Sequence, residues 1–161
     1  GVEKGPLIDD KAAAKVEEFI ADARAKGGKG VTGGHRHALG GTFFEPTVIA
    51  DASSYMRFAR EEIFGPVAPV FRFDSEDEAI AMANDTEFGL AAYAYTSDLG
   101  RMFRVSEGLK YGQVGINEGV ITTEVAPFGG VKESGLGREG SKYGIEDYLD
   151  IKYVCVGGLA A

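Results

Sequence analysis

From Val67 onward the sequence repeats one pattern, a short apolar run followed by a capping residue and an amphipathic stretch. The run Val67 to Phe73 gives way to Ser75, with Glu78 three residues later, which is the capping-box signature of a helix start. Ile80 and Ala83 fall on the inward face of that helix, and it is expected to end near Asn84. There follow an apolar run from Leu90 to Tyr95, a cap at Asp98, a helix carrying Met102, Phe103 and Val105, and a strand from Gln113 to Ile116. Strands separated by helices of this length pair in parallel through right-handed crossovers. The expected fold class is therefore α/β, an open and mostly parallel sheet with flanking helices, whose ligands collect beyond the carboxyl ends of the strands.

Upstream of this repeat, Asp9 and Asp10 are helix N-caps, and Val16, Phe19, Ile20 and Ala23 follow at helical spacing before Gly27 and Gly28 stop the run. A short strand is expected near Val31, and another along the β-branched and aromatic run from Phe43 through Thr47 to Ile49. Downstream, Asn117 opens a stretch of about twenty residues without periodicity; loops of that length in folded domains are usually functional or disordered, and its Pro, Phe and Gly content favours an ordered loop. Tyr148 to Val156 reads as a closing strand with Leu149, Ile151, Tyr153 and Cys155 on one face. With no later helix to cover it, such an edge invites another chain.

Composition narrows the chemistry. Seventeen Lys and Arg against 25 Asp and Glu give a net charge of −8, the wrong sign for neutralising phosphates or coating an anionic bilayer, so neither nucleic acid nor membrane is expected as a partner. No apolar run reaches the ~18 residues of a spanning helix, and Gly1 to Pro6 lack the order of a secretion signal, so a cytoplasmic location is expected. One cysteine and two histidines exclude an internal disulfide and supply too few ligands for a structural metal site. The 24 glycines are about twice the usual ~7% and are clustered, which marks special backbone. The opening on Gly1, in a polar stretch, reads as the interior of a longer polypeptide.

Three constellations bear on the chemistry. Gly135 to Gly140 matches G-x-G-x-x-G, but Lys132, Glu133 and Ser134 precede it where a buried strand is required, so a tight structural loop is expected. His35 and His37 alternate as strand neighbours do, yet no third ligand of suitable type stands nearby, and solvated loop histidines are expected. The stretch Arg60-Glu61-Glu62-Ile63-Phe64-Gly65-Pro66-Val67 sets two carboxylates and a ring on a turn feeding a strand. A carboxylate can accept both hydroxyls of a ribose and a flat ring can pack on a heteroaromatic one, whereas the alternative is a helix end with solvated acids and Phe64 in the core. Residue types alone leave both readings open.

Four segments carry a resemblance. Glu61 to Val67 (E-E-I-F-G-P-V), Asn84 to Leu90 (N-D-T-E-F-G-L), Gly115-Ile116-Asn117, and Pro127 to Gly135 (P-F-G-G-V-K-E-S-G) resemble the aldehyde dehydrogenase superfamily in order and spacing. The segments 117–127, 140–144 and 152–155 look most like its succinate-semialdehyde branch. The resemblance covers essentially the whole chain. It implies that residues 1–147 are the C-terminal part of the family's catalytic domain and 148–161 an oligomerisation strand and tail, in a homo-oligomeric parent.

The activity implied is oxidation of a small-molecule aldehyde to the acid through a cysteine thiohemiacetal and thioester, with NAD or NADP as cofactor. The family's nucleophile, general base and cofactor domain match no position here, so no catalytic residue is assigned and the isolated chain is expected to be inactive. Cys155 matches a position on the closing strand, where it is expected to be buried and inert. The resemblance makes Glu62 the acid that binds the nicotinamide ribose and Phe64 the ring beside the nicotinamide, and it puts Lys15 near the cofactor. It makes Phe128 the aromatic that packs on the substrate chain, and Thr122 the hydroxyl that helps hold a distal carboxylate, where relatives carry serine. Asn117 and the glycines at 129, 130, 135 and 137 read as loop scaffolding. The rival reading is a stand-alone, non-catalytic module that docks through its closing strand.

Overall fold

Asp9 caps the first helix as its sequence predicts. In the computed structural model, which describes residues 4–158, its carboxylate accepts the Ala12 amide at 2.7 Å and α1 runs Asp10–Ala25. The buried stripe of α1 is Ala13, Val16, Phe19, Ile20 and Ala23, the helical spacing read above. Two strands follow, β1 at Lys29–Thr32 and β2 at Thr47–Ala52, and then β3 at Val67–Phe71. β1 pairs antiparallel with β2, and β2 pairs parallel with β3 in a register that sets Thr47 against Val67.

The strand expected from Phe43 begins only at Thr47. Pro46 has no amide hydrogen to give a ladder, so Phe44 makes an isolated bridge with Arg36 and regular pairing starts one residue after the proline. Thr47 is buried and fully used: its hydroxyl accepts the Gly34 amide and donates to the Glu45 carbonyl, each at 2.8 Å. Around α1 a core forms from Val16, Phe19, Ile20, Phe44, Ile49, Met56 and Phe58, with Phe58 edge-on to Phe71 at 6.2 Å between ring centres.

The chain divides into two units, Gly1–Asp74 and Ser75–Ala161. In the second, Ser75 accepts the Glu78 amide and starts α2 at Glu76–Asn84, and Asp98 accepts the Arg101 amide and starts α3 at Leu99–Gly108. β4 at Ala91–Ala94 and β5 at Gln113–Ile116 lie on either side of α3 in sequence and pair in parallel from Ala91 with Gln113 to Ala94 with Ile116. This is the strand, helix, strand unit the sequence predicts. The strands form two sheets, β1-β2-β3 and β4-β5, so β3 takes β2 as its partner and the α/β class is realised in two pieces. Among the described residues no helix is long and apolar enough to cross a membrane.

The core of the second unit is thin. Leu109 is its one buried large apolar side chain among the described residues, while Leu99, Phe103 and Tyr93 stand exposed. The closing segment differs from expectation. A 3-10 turn spans Glu146–Tyr148, after which residues 149–158 carry no regular structure and are exposed; 159–161 lie outside the described residues. A strand exists only through its ladder, and alternating apolar residues supply no partner by themselves. For the same reason Cys155, expected to be buried, is exposed.

Candidate functional site

Residues 61–65 form a turn held against α1. Lys15, Glu18, Phe19 and Asp22 lie on one side of that helix at three- and four-residue spacing, and each meets the segment that leads into the turn or the turn itself. The Asp22 carboxylate accepts the Arg57 amide at 2.9 Å, and Arg57 reaches Glu18 at 3.3 Å. The Lys15 ammonium donates to the carbonyl oxygen of Glu62 at 2.6 Å. Phe19, fully buried, lies beneath both cations, its ring centre 5.4 Å from Lys15 Nζ and 5.0 Å from Arg57 Cζ.

The two adjacent carboxylates have separate uses. Arg57 donates two parallel bonds of 2.9 Å to Glu61, and this hydrogen bonding holds the Glu61 carboxyl below its usual range. Glu62 is exposed, and the contact that fixes it is made by its carbonyl. Ile63 packs on the core, and Phe64 turns outward with φ of 49° and 79% of its surface exposed. The alternative in which Phe64 is a core residue is thereby set aside. Gly65 follows, where a Cβ would overlap the Val16 side chain. The structure therefore ties Lys15 to the backbone of the turn that carries Glu62 and Phe64.

In the second unit, the loop after β5 is pinned at its first residue. Asn117, with φ of 56°, accepts the Thr96 amide and donates to the Thr96 carbonyl, both at 2.8 Å. Further along, the segments 84–90 and 127–135 are laced together. The Gly89 amide donates to Ser134 Oγ at 2.8 Å, Val131 N donates to the Gly89 carbonyl at 2.9 Å, and Lys132 Nζ donates to the Thr86 carbonyl at 2.7 Å. Two motifs more than forty residues apart in sequence are thus one structural object.

Phe128 is half-buried, exchanges backbone bonds with Glu139, and lines a cavity of about 690 Å³ together with Leu90, Ser134, Arg138, Asp147 and Tyr148. Arg138 is occupied in building this wall: its guanidinium donates to the carbonyls of Gly130 and Gly137 at 2.8 and 2.6 Å. Thr122 is exposed and does not line the cavity. Lys132, Ser134 and Arg138 were not singled out from sequence. Their signal was available, since polar residues inside a glycine run must serve carbonyls and amides that glycine cannot.

The G-x-G-x-x-G stretch is the structural loop its context predicts. It follows a 3-10 turn at Lys132–Ser134, and Gly135, Gly137 and Gly140 all have positive φ. His35 faces Glu45 at 3.4 Å, and His37 Nδ1 accepts the Leu39 amide.

The model of the "Aldehyde dehydrogenase family" matches residues 1–154. The chain is 67% identical to a glutarate-semialdehyde dehydrogenase of Pseudomonas aeruginosa, over 99% of this chain and 33% of that protein. It is 64% identical to the succinate-semialdehyde dehydrogenase [NADP(+)] of Escherichia coli, over 98% of this chain and 33% of that protein. Among solved structures, the succinate-semialdehyde dehydrogenase from Burkholderia pseudomallei superposes with a TM-score of 0.93 at 63% identity, covering 97% of this chain and 32% of that one. The chain spans about a third of the length of the relatives it matches.

Proposed function

Because this chain belongs to the aldehyde dehydrogenase family, we propose that it works as one part of a complete enzyme that oxidises an ω-carboxylated aldehyde, such as succinate semialdehyde, to the acid with NAD or NADP. The observation that carries this reading is the turn from Glu62 to Gly65, where an exposed carboxylate and an exposed flat ring stand two positions apart on clasped backbone. That set fits a nicotinamide dinucleotide, since a carboxylate accepts two vicinal hydroxyls and a ring covers a planar heterocycle. Glu62 would hold the ribose and Phe64 would flank the nicotinamide, with Lys15 in the same group. When bound, the dinucleotide supplies the hydride acceptor.

On the substrate side, Phe128 offers apolar wall and Thr122 a hydroxyl for the distal carboxylate. Relatives named for succinate and glutarate semialdehydes at similar identity support an aldehyde ending in a carboxylate and leave its chain length open. The nucleophile and general base are assigned to sequence outside this chain, and the 161-residue chain alone is expected to be inactive. The complete enzyme is proposed to be cytoplasmic and homo-oligomeric, with residues 148–161 as contact segment; the exposed apolar side chains of Ile151, Tyr153 and Val154 support that role.

Two measurements on the complete enzyme test this reading. Specificity constants should favour succinate or glutarate semialdehyde over acetaldehyde and betaine aldehyde; the reverse order removes the substrate assignment. Glu62→Gln should weaken cofactor use far more than aldehyde use, and unchanged cofactor kinetics would take Glu62 out of the site.

A further inference from the structure

We propose that Lys132 is a positioning residue on the substrate side of the site: its ammonium, seated at the carboxyl end of α2, fixes the turn that carries Phe128 and so sets the aromatic wall against which the aldehyde chain packs. The proposal rests on the reading of Phe128 as a substrate contact. Lys132 stands at φ of 56°, a region that glycine occupies freely and side-chain-bearing residues seldom do. Glycine would suit that backbone better, as it does at the neighbouring Gly129, Gly130 and Gly135, so what lysine adds at 132 lies in its side chain.

That side chain completes a helix end. The last turn of α2 carries no basic residue of its own, although its final carbonyls form the negative end of the helix dipole. Lys132 supplies the charge from 48 positions away. Its Nζ donates to the Thr86 carbonyl at 2.7 Å and lies 3.5 Å from the carbonyl of Asn84, the last residue of α2. The Tyr111 ring centre is 5.5 Å from Nζ, and the Tyr111 hydroxyl is anchored on the same helix end, donating to the Ala83 carbonyl at 2.6 Å.

Lys132 is also one of four consecutive residues that grip the segment 86–89. Val131 and Glu133 donate their amides to the Gly89 and Glu87 carbonyls, each at 2.9 Å, and Ser134 Oγ takes the Gly89 amide. Of the four, Lys132 alone brings a charge, and it reaches furthest back toward α2. Between this grip and Phe128 there is no slack. Gly130 is buried so close to Ser134 that no Cβ fits, and Gly129 lies against Gly112. A displacement at 132 is therefore passed along to Phe128 and is not absorbed on the way.

A residue that acts by placing the ring matters little once the ring is gone. In the complete enzyme, steady-state kinetics with succinate semialdehyde and fluorescence titration with NADH are compared for Lys132→Met, Lys132→Arg, Phe128→Ala and the Lys132→Met, Phe128→Ala double variant. Lys132 is exposed, so the methionine variant leaves no buried space. We expect Lys132→Met to raise aldehyde KM about fivefold, with kcat changed less than about twofold and NADH binding unchanged. In the Phe128→Ala background the same substitution should raise KM by no more than about 1.5-fold. Lys132→Arg keeps a cation within reach of the carbonyls and should stay within about twofold of the unaltered enzyme.

Losses from Lys132→Met and Phe128→Ala that simply multiply would overturn the proposal. Equal damage to aldehyde KM and NADH binding would do the same, by making Lys132 a residue of general stability, and so would an arginine variant as impaired as the methionine one. Phe128→Ala with an unaltered aldehyde KM is a different failure, since it removes the substrate reading of Phe128 and takes the proposal with it.

Discussion

Ser134 Oγ accepts the amide hydrogen of Gly89 at 2.8 Å across 45 positions of sequence. The Gly89 amide is buried, so this single hydroxyl satisfies a donor that water does not reach. Ser134→Ala leaves the donor unpaired and is expected to cost about 1–3 kcal/mol. Urea unfolding of the variant and of Ser134→Cys, which restores only a weak acceptor, checks this: both should lie below the unaltered protein, with the alanine variant lowest. Equal stability of all three would show that the bond contributes nothing.

Glu76 at the start of α2 is held by two arginines of α3. Arg104 donates through Nε and Nη2, the latter at 2.9 Å, and Arg101 donates at 3.0 Å. The Arg104 hydrogen bond leads in pulling the Glu76 carboxyl from its ordinary 4.5 to about 2. A carboxyl depressed on folding binds its proton more readily in the unfolded chain, so its contribution is complete above pH about 4.5 and is lost as pH falls toward about 2. The urea midpoint should therefore fall across that window, and Glu76→Gln should flatten that part of the profile. An unaltered slope in the variant would assign the acid sensitivity to other carboxylates.

The close approach of Gly112 and Gly129 leaves no room for a methyl group. A Cβ at 112 would overlap the Gly129 carbonyl oxygen, which is backbone and cannot swing aside. Gly112→Ala is expected to cost about 3 kcal/mol or more through displacement of the 127–135 loop. Gly119→Ala is the control, since its Cβ would meet the Tyr95 hydroxyl at an ordinary 3.6 Å. Thermal melting should separate the two clearly, and similar melting temperatures would contradict the packing described.

For the complete enzyme, Thr122→Val removes the proposed carboxylate donor at nearly constant volume. KM for succinate semialdehyde should rise about tenfold, the scale of one hydrogen bond to a charged group. Thr122→Ser should stay near the unaltered value, and propionaldehyde, which has no distal carboxylate, should not distinguish the three. A uniform change across both aldehydes would make Thr122 structural.

Local chemistry accounts for what could be read beforehand. Asp9, Ser75 and Asp98 announce helices because each places an oxygen within reach of amides two or three residues on, and all three do so in the fold. The strand from Gln113 to Ile116 and the stripe of α1 follow from periodicity. What escaped reading is pairing over distance. That β3 adds to β2, that the apolar alternation after Tyr148 finds no ladder, and that Cys155 is exposed all depend on which partner is present. Glu62 and Phe64 were found through their motif, but the bond from Lys15 ends on a carbonyl, and a carbonyl belongs to every residue. No side-chain code marks it.

Phe64 also bears on how tightly such a site can bind. Its backbone is confined by α1 through contacts internal to the chain, so the entropy of ordering that loop is surrendered during folding and not at encounter. A ligand meeting the ring finds a preorganised surface, and more of the contact energy is left to appear as affinity.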